Sequence, residues 1–155
     1  MKLKTLIQAG CGFLAFIFIF LPWYNAKAII LGYGGSANAF GETILGVFAL
    51  LASLAALVWF VLEILNQASV LKLKIPTKTK KIVDICVSGA IVLFGIIGFI
   101  VGLASGNEII KTTPCAGVYL YIIAGVAALV LTFVKLEQTV GKAPKKAEKK
   151  EEKKD

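Results

Sequence analysis

Residues 43–65 read TILGVFALLASLAALVWFVLEIL, a run without lysine in which the single acid, Glu63, stands near the end. A bilayer hydrocarbon core of about 30 Å takes about 20 mainly apolar helical residues, so this stretch predicts a transmembrane helix. Three further runs flank it, at about 6–23 upstream and at about 82–104 and 116–134 downstream. The expected fold class is therefore all-α: a polytopic membrane protein whose four transmembrane helices pack as a bundle of two hairpins. Composition agrees, because 58% of the 155 residues are hydrophobic and only 17% charged, against about a quarter charged in ordinary soluble domains.

Lysine placement predicts orientation, since short loops rich in Lys or Arg stay in the cytoplasm. The chain has no arginine, and its lysines cluster before the first run, between the second and third, and after the fourth. Only Lys27 and Lys111 fall on the other side, in segments that also carry Glu42 and Glu108. Both termini are expected to be cytoplasmic. The predicted transmembrane domain covers 1–136, with outer loops at 24–42 and 105–115 and a cytoplasmic loop at 66–81. Residues 137–155 have almost nothing apolar to bury and read as a disordered, lysine-rich cytoplasmic tail. A cleaved signal peptide ending at Ala26, Lys27 and Ala28 is the competing reading of the first run. Against it stand the length of the run and an apparent interfacial anchor formed by Trp23 and Tyr24.

Membrane helices associate through small residues that let backbones approach. The second run supplies Ala49, Ala52, Ser53 and Ala56, the third Gly95, Gly98 and Gly102, and the fourth Ala124, Gly125 and Ala128. The first run has Gly10 and Gly12 at one end and bulky phenylalanines beyond, so close packing is expected only near the cytoplasm. Segments 46–58 and 117–130 align after one gap, which a duplicated hairpin would explain and so would chance among so few residue types.

Polar groups at membrane depth are costly and point to function. Gln8, Glu63 and Asp84 all fall near the inner ends of their runs, so they are candidates for a polar cytoplasmic vestibule that binds a cation or a partner's basic group. Carboxylates paired with lysine at the interface are the plainer alternative. Lys72, Lys74, Lys78, Lys80 and Lys81 give the inner face a positive skirt suited to anionic lipids.

Enzyme templates fail for want of residues. With no histidine, the usual general base and metal ligand are missing. Cys11, Cys86 and Cys115 form no Cys-x-x-Cys pair. Gly32, Tyr33 and Gly34 match the centre of a potassium-channel filter, but too few residues precede them to build a pore helix, so a glycine-rich turn is expected. No catalytic residue, cofactor or metal is anticipated, and nucleic acid is not an expected partner, because no aromatic residues interleave the tail lysines.

Leu21, Pro22, Trp23 and Tyr24 after the first run, a glycine-rich outer loop, and Pro114, Cys115, Ala116 and Gly117 opening the last run resemble a diffuse set of uncharacterised small four-span bacterial membrane proteins. That resemblance implies a bacterial inner membrane and supplies no catalytic residue. The layout also looks like eukaryotic claudin and tetraspan proteins, whose paired outer cysteines are missing here, and like phage holins in size and basic tail. The expected function is non-enzymatic: helix association, as a homo-oligomer or as an accessory subunit of a larger membrane complex. An oligomeric pore is the alternative, and a small-solute transporter a weaker one.

Overall fold

The computed structural model describes residues 3–30, 32–41, 43–107 and 109–134. The tail expected at 137–155 lies outside the described residues, as do Glu42 and Glu108. Four α-helices form a bundle: α1 (Leu3–Phe18), α2 (Thr43–Gln67), α3 (Thr77–Ala104) and α4 (Ala116–Phe133). Each packs against its neighbours in sequence, and α1 closes the ring against α4. Helices α2, α3 and α4 are long and apolar enough to cross a membrane, whereas α1 has 16 residues.

Helix ends follow local chemistry. The sequence predicted a first helix reaching Trp23, but α1 stops at Phe18. Pro22 has no N–H to donate and disfavours helix at the preceding residue. The Trp23 indole Nε1 donates to the Phe18 carbonyl at 2.8 Å, satisfying an acceptor that the helix end leaves open. Helix α2 closes through Ser69, whose φ of 62° is the left-handed conformation common just past a helix. Asn66 then clamps the following loop, accepting from Leu73 N at 3.0 Å and donating to Leu73 O at 3.1 Å. Because α3 starts at Thr77 rather than at 82, Lys78, Lys80 and Lys81 belong to its first turns and not to the loop.

The segments expected as loops at 24–42 and 105–115 contain a three-stranded antiparallel sheet, so the molecule is mostly but not wholly helical. Its strands are β1 (Tyr24–Ala28), β2 (Gly34–Ala37) and β3 (Ile110–Pro114), in the order β2-β1-β3. Tyr24 stands opposite Ala37 on one side and Pro114 on the other. Pro114 closes an edge strand, where a missing N–H costs little. Gly32, at φ 66°, makes the turn between β1 and β2, and Ala28 N donates to Tyr33 O at 2.8 Å. A short 3-10 helix, Ala39–Gly41, leads into α2.

Trp23 and Tyr24, expected as an interfacial anchor, are instead 0% and 5% exposed. They plug the sheet end of the bundle. A Cβ on Gly98 would lie 2.7 Å from Trp23 Cζ3, one on Gly102 2.6 Å from Tyr24 Cε1, and one on Gly117 2.7 Å from Trp23 Cδ1. Tyr24 OH donates to Gly98 O at 3.1 Å, and the Trp23 and Tyr121 rings lie 5.1 Å apart. Large rings with a polar atom are stable here because glycine leaves them room and backbone carbonyls accept their protons.

The small residues anticipated on α2, α3 and α4 are all buried. Their partners differ from the expectation at two positions: Gly98 and Gly102 receive aromatic rings from β1 and the residue before it, not a neighbouring helix. Gly95 and Gly125 do serve helix contact, their Cβ positions lying 2.6 Å from Ile122 and 2.8 Å from Ile91. Helix α1 is buried at Thr5, Gln8, Gly12 and Ala15, a helical seam along its whole length rather than at one end.

Candidate functional site

The end of the bundle opposite the sheet gathers the polar side chains. The start of α1, the end of α2, the start of α3 and the end of α4 meet there, so up-and-down topology alone brings residues distant in sequence together. Gln8, Glu63 and Asp84 are 1%, 7% and 3% exposed, and the structure places all three in one polar band, each in a hydrogen-bonded group of its own.

Thr5, Gln67 and Lys80 converge on Glu63 Oε1. Thr5 Oγ1 donates at 2.9 Å, Gln67 Nε2 donates at 3.0 Å, and Lys80 completes an ion pair. Gln67 Nε2 also donates to Thr5 Oγ1 at 2.7 Å. Asp84, one turn beyond Lys80 on α3, accepts from the Trp59 indole at 2.7 Å. Gln8 reaches the other way, donating to Thr132 Oγ1 at 3.1 Å and Ala128 O at 3.3 Å. Lys4 Nζ donates to Thr132 O at 3.0 Å. The band thus links α4 to α1, α1 to α2, and α2 to α3. Buried polar groups in apolar surroundings hold helices together because the alternative is an unsatisfied atom.

Among the described residues, two buried side-chain atoms of this region have no hydrogen-bond partner: Glu63 Oε2 and Ser88 Oγ. Ser88 lies one turn beyond Asp84 on α3. Glu63 also lines a cleft of about 90 Å³ with Trp59, Leu62, Asn66, Gln67, Leu73, Ile75 and Lys80. Among the described residues, no three of His, Cys, Asp or Glu are grouped to hold a metal ion.

Of the five lysines anticipated as a lipid-facing skirt, Lys72, Lys74, Lys78 and Lys81 are exposed, while Lys80 turns inward to Glu63. Lys81 Nζ stands 5.4 Å from the centre of the Phe133 ring, a cation–π contact joining α3 to the end of α4. Sequence reasoning singled out Gln8, Glu63 and Asp84 but missed Thr5, Gln67 and Trp59. A signal was available in the spacing, since Thr5 and Gln8, Trp59 and Glu63, and Glu63 and Gln67 are three or four apart and share helix faces. A second polar cluster lies nearer mid-bundle, where Tyr121 OH and Ser53 Oγ each donate to Ala49 O, at 3.0 and 2.9 Å, and lie 3.1 Å apart.

Comparison with protein-family models, with curated proteins and with solved structures finds no match to this chain.

Proposed function

We propose that this chain is a non-enzymatic integral membrane protein that crosses the bilayer four times and acts by association, as a homo-oligomer or as an accessory subunit of a larger membrane complex. The supporting observation is an inverted distribution of polarity. Thr5, Gln8, Ser53, Glu63, Asp84 and Ser88 are buried, while Phe13, Leu51, Leu93, Ile100, Ile123 and Phe133 are each at least 45% exposed. In water such a surface would aggregate, whereas in lipid it is matched to its solvent. Helix α1, about 24 Å long at 1.5 Å per residue, makes the fourth crossing together with the turn that follows it.

Both termini belong on the cytoplasmic side in this proposal, by the asymmetry of lysine, and the membrane is a bacterial inner membrane, on the strength of the Leu21, Pro22, Trp23 resemblance. Ala49, Ala52, Ser53 and Ala56 of α2 and Ala124, Gly125 and Ala128 of α4 are consumed inside the bundle. Association with another chain therefore uses the bulky outer faces. A pore has less support, because the interior polar groups form a band at one end and a separate Ser53–Tyr121 pair, not a stripe along any helix.

The test is the mass of the particle extracted from its native membrane in mild detergent. An assembly larger than one chain, or a co-purified membrane protein, is the expected result. A strict monomer without partners would overturn association.

A further inference from the structure

The outward face of α4 carries an open groove of about 520 Å³, lined by Ile122, Ile123, Val126, Ala127, Val130 and Leu131. These positions recur at four-residue steps, so they form one face of the helix, and Ala127 supplies the dip between larger neighbours. The face runs about 14 Å along the axis toward the last turn of α4. Two ammonium groups converge on that turn from the two helices that flank it: Lys4 of α1 bonds Thr132 O, and Lys81 of α3 sits over Phe133.

We propose that this juxtaposition is a binding site for an anionic phospholipid, with the phosphate headgroup held by Lys4 and Lys81 and an acyl chain laid along the α4 groove. The inference rests on the bilayer reading above and goes beyond it by naming a lipid class and a place. A phosphodiester is the chemistry that two converging ammonium groups at a membrane interface recognise, and an alkyl chain matches a groove without polar lining. A second copy of this chain fits the same face poorly, because two-fold pairing along parallel α4 helices would bring both lysine pairs to the same end. The loop lysines Lys72 and Lys74 stand beside the smaller cleft lined by Leu73 and Ile75, where the Glu63 carboxylate opposes a phosphate.

The test uses the full chain in phosphatidylcholine vesicles with and without a minor share of phosphatidylglycerol, reading which lipid stays bound by native mass spectrometry after gentle delipidation. The wild type is expected to retain phosphatidylglycerol selectively. At the strength typical of one lysine near a lipid surface, Lys81→Gln lowers that preference about fivefold and the double change Lys4→Gln with Lys81→Gln about 30-fold. Ala127→Trp, which fills the groove and leaves both lysines in place, lowers lipid retention as well. Lys72→Gln with Lys74→Gln removes equal charge and leaves the preference within about twofold. Equal loss in that loop control shows diffuse attraction and overturns the site, as does efficient disulfide cross-linking of two copies through Ala127→Cys. A protein that floats with the vesicles and shows no lipid preference refutes this inference alone. One that does not float refutes the bilayer reading beneath it.

Discussion

Replacing Gly102 by alanine sets two effects of opposite sign against each other. Alanine is the better helix former by about 1 kcal/mol, so on an open helix face the change stabilises. At Gly102 the new methyl would stand 2.6 Å from Tyr24 Cε1 and 2.7 Å from Cδ1, and the ring must tilt. Overpacking of this kind costs about 1–3 kcal/mol. Displacing the phenol from Gly98 O forfeits a hydrogen bond worth about 0.5–1.5 kcal/mol. The net expectation is a loss of about 1–3 kcal/mol, a fall in melting temperature of roughly 3–10 °C for a chain of this size. Gly89→Ala, where nothing lies within 4 Å of the added Cβ, should show the propensity gain alone and stabilise by up to about 1 kcal/mol. Thermal unfolding of the purified protein in detergent reads both. Tyr24→Ala removes the clash together with the ring, so combined with Gly102→Ala it should cost about 2 kcal/mol less than the sum of the two single changes. A rise in melting temperature for Gly102→Ala like that for Gly89→Ala, or strict additivity in the pair, would refute the account of the sheet-end plug.

Glu63→Ala removes the acceptor of Thr5 and Gln67 and the partner of the partly exposed Lys80, and should destabilise by about 1–3 kcal/mol, whereas Glu63→Leu with Lys80→Met should come within about 1 kcal/mol of wild type in the same melts. Tyr121→Phe deletes the bond to Ala49 O and is expected to cost about 0.5–1.5 kcal/mol, with Ser53→Ala less than additive in the double change. In intact cells, a membrane-impermeant amine reagent should modify Lys27 and Lys111 and spare Lys72, Lys74 and Lys78 until the cells are lysed; labelling of those three beforehand would reverse the proposed orientation.

The four helices were legible because each is a long, mainly apolar run with at most one charged residue. Their ends were less so. Where α1 stops depends on Pro22 and on an indole reaching back to Phe18 O, a contact that no periodicity reveals. The sheet escaped notice because Tyr24–Ala28 and Gly34–Ala37 carry little β-branched character and alternate weakly. Ile110–Pro114, with Ile110, Thr112 and Thr113, held the one usable strand signal. The convergence of Gln8, Glu63 and Asp84 was readable from topology, since all three were placed at the same end of antiparallel neighbours. The partners of Gly98 and Gly102 were not, because a glycine leaves the same gap for a helix as for a ring and only the fold decides which fills it.

Strand β1 pairs with β2, which leads into α2, and with β3, which leads into α4. The two helical hairpins are therefore stitched to each other by backbone bonds at the sheet end, while at the other end the chain itself joins α2 to α3 and α1 meets α4 through side chains of α1. Separating them at the sheet breaks a hydrogen-bonded ladder, whereas parting α1 from α4 at the band requires that Lys4 and Gln8 give up their bonds to Thr132 and Ala128. The bundle is built like a clothes-peg, sprung at the glycine-and-aromatic end, and any splaying of its legs begins at the seam between α1 and α4 that Lys4 and Gln8 close.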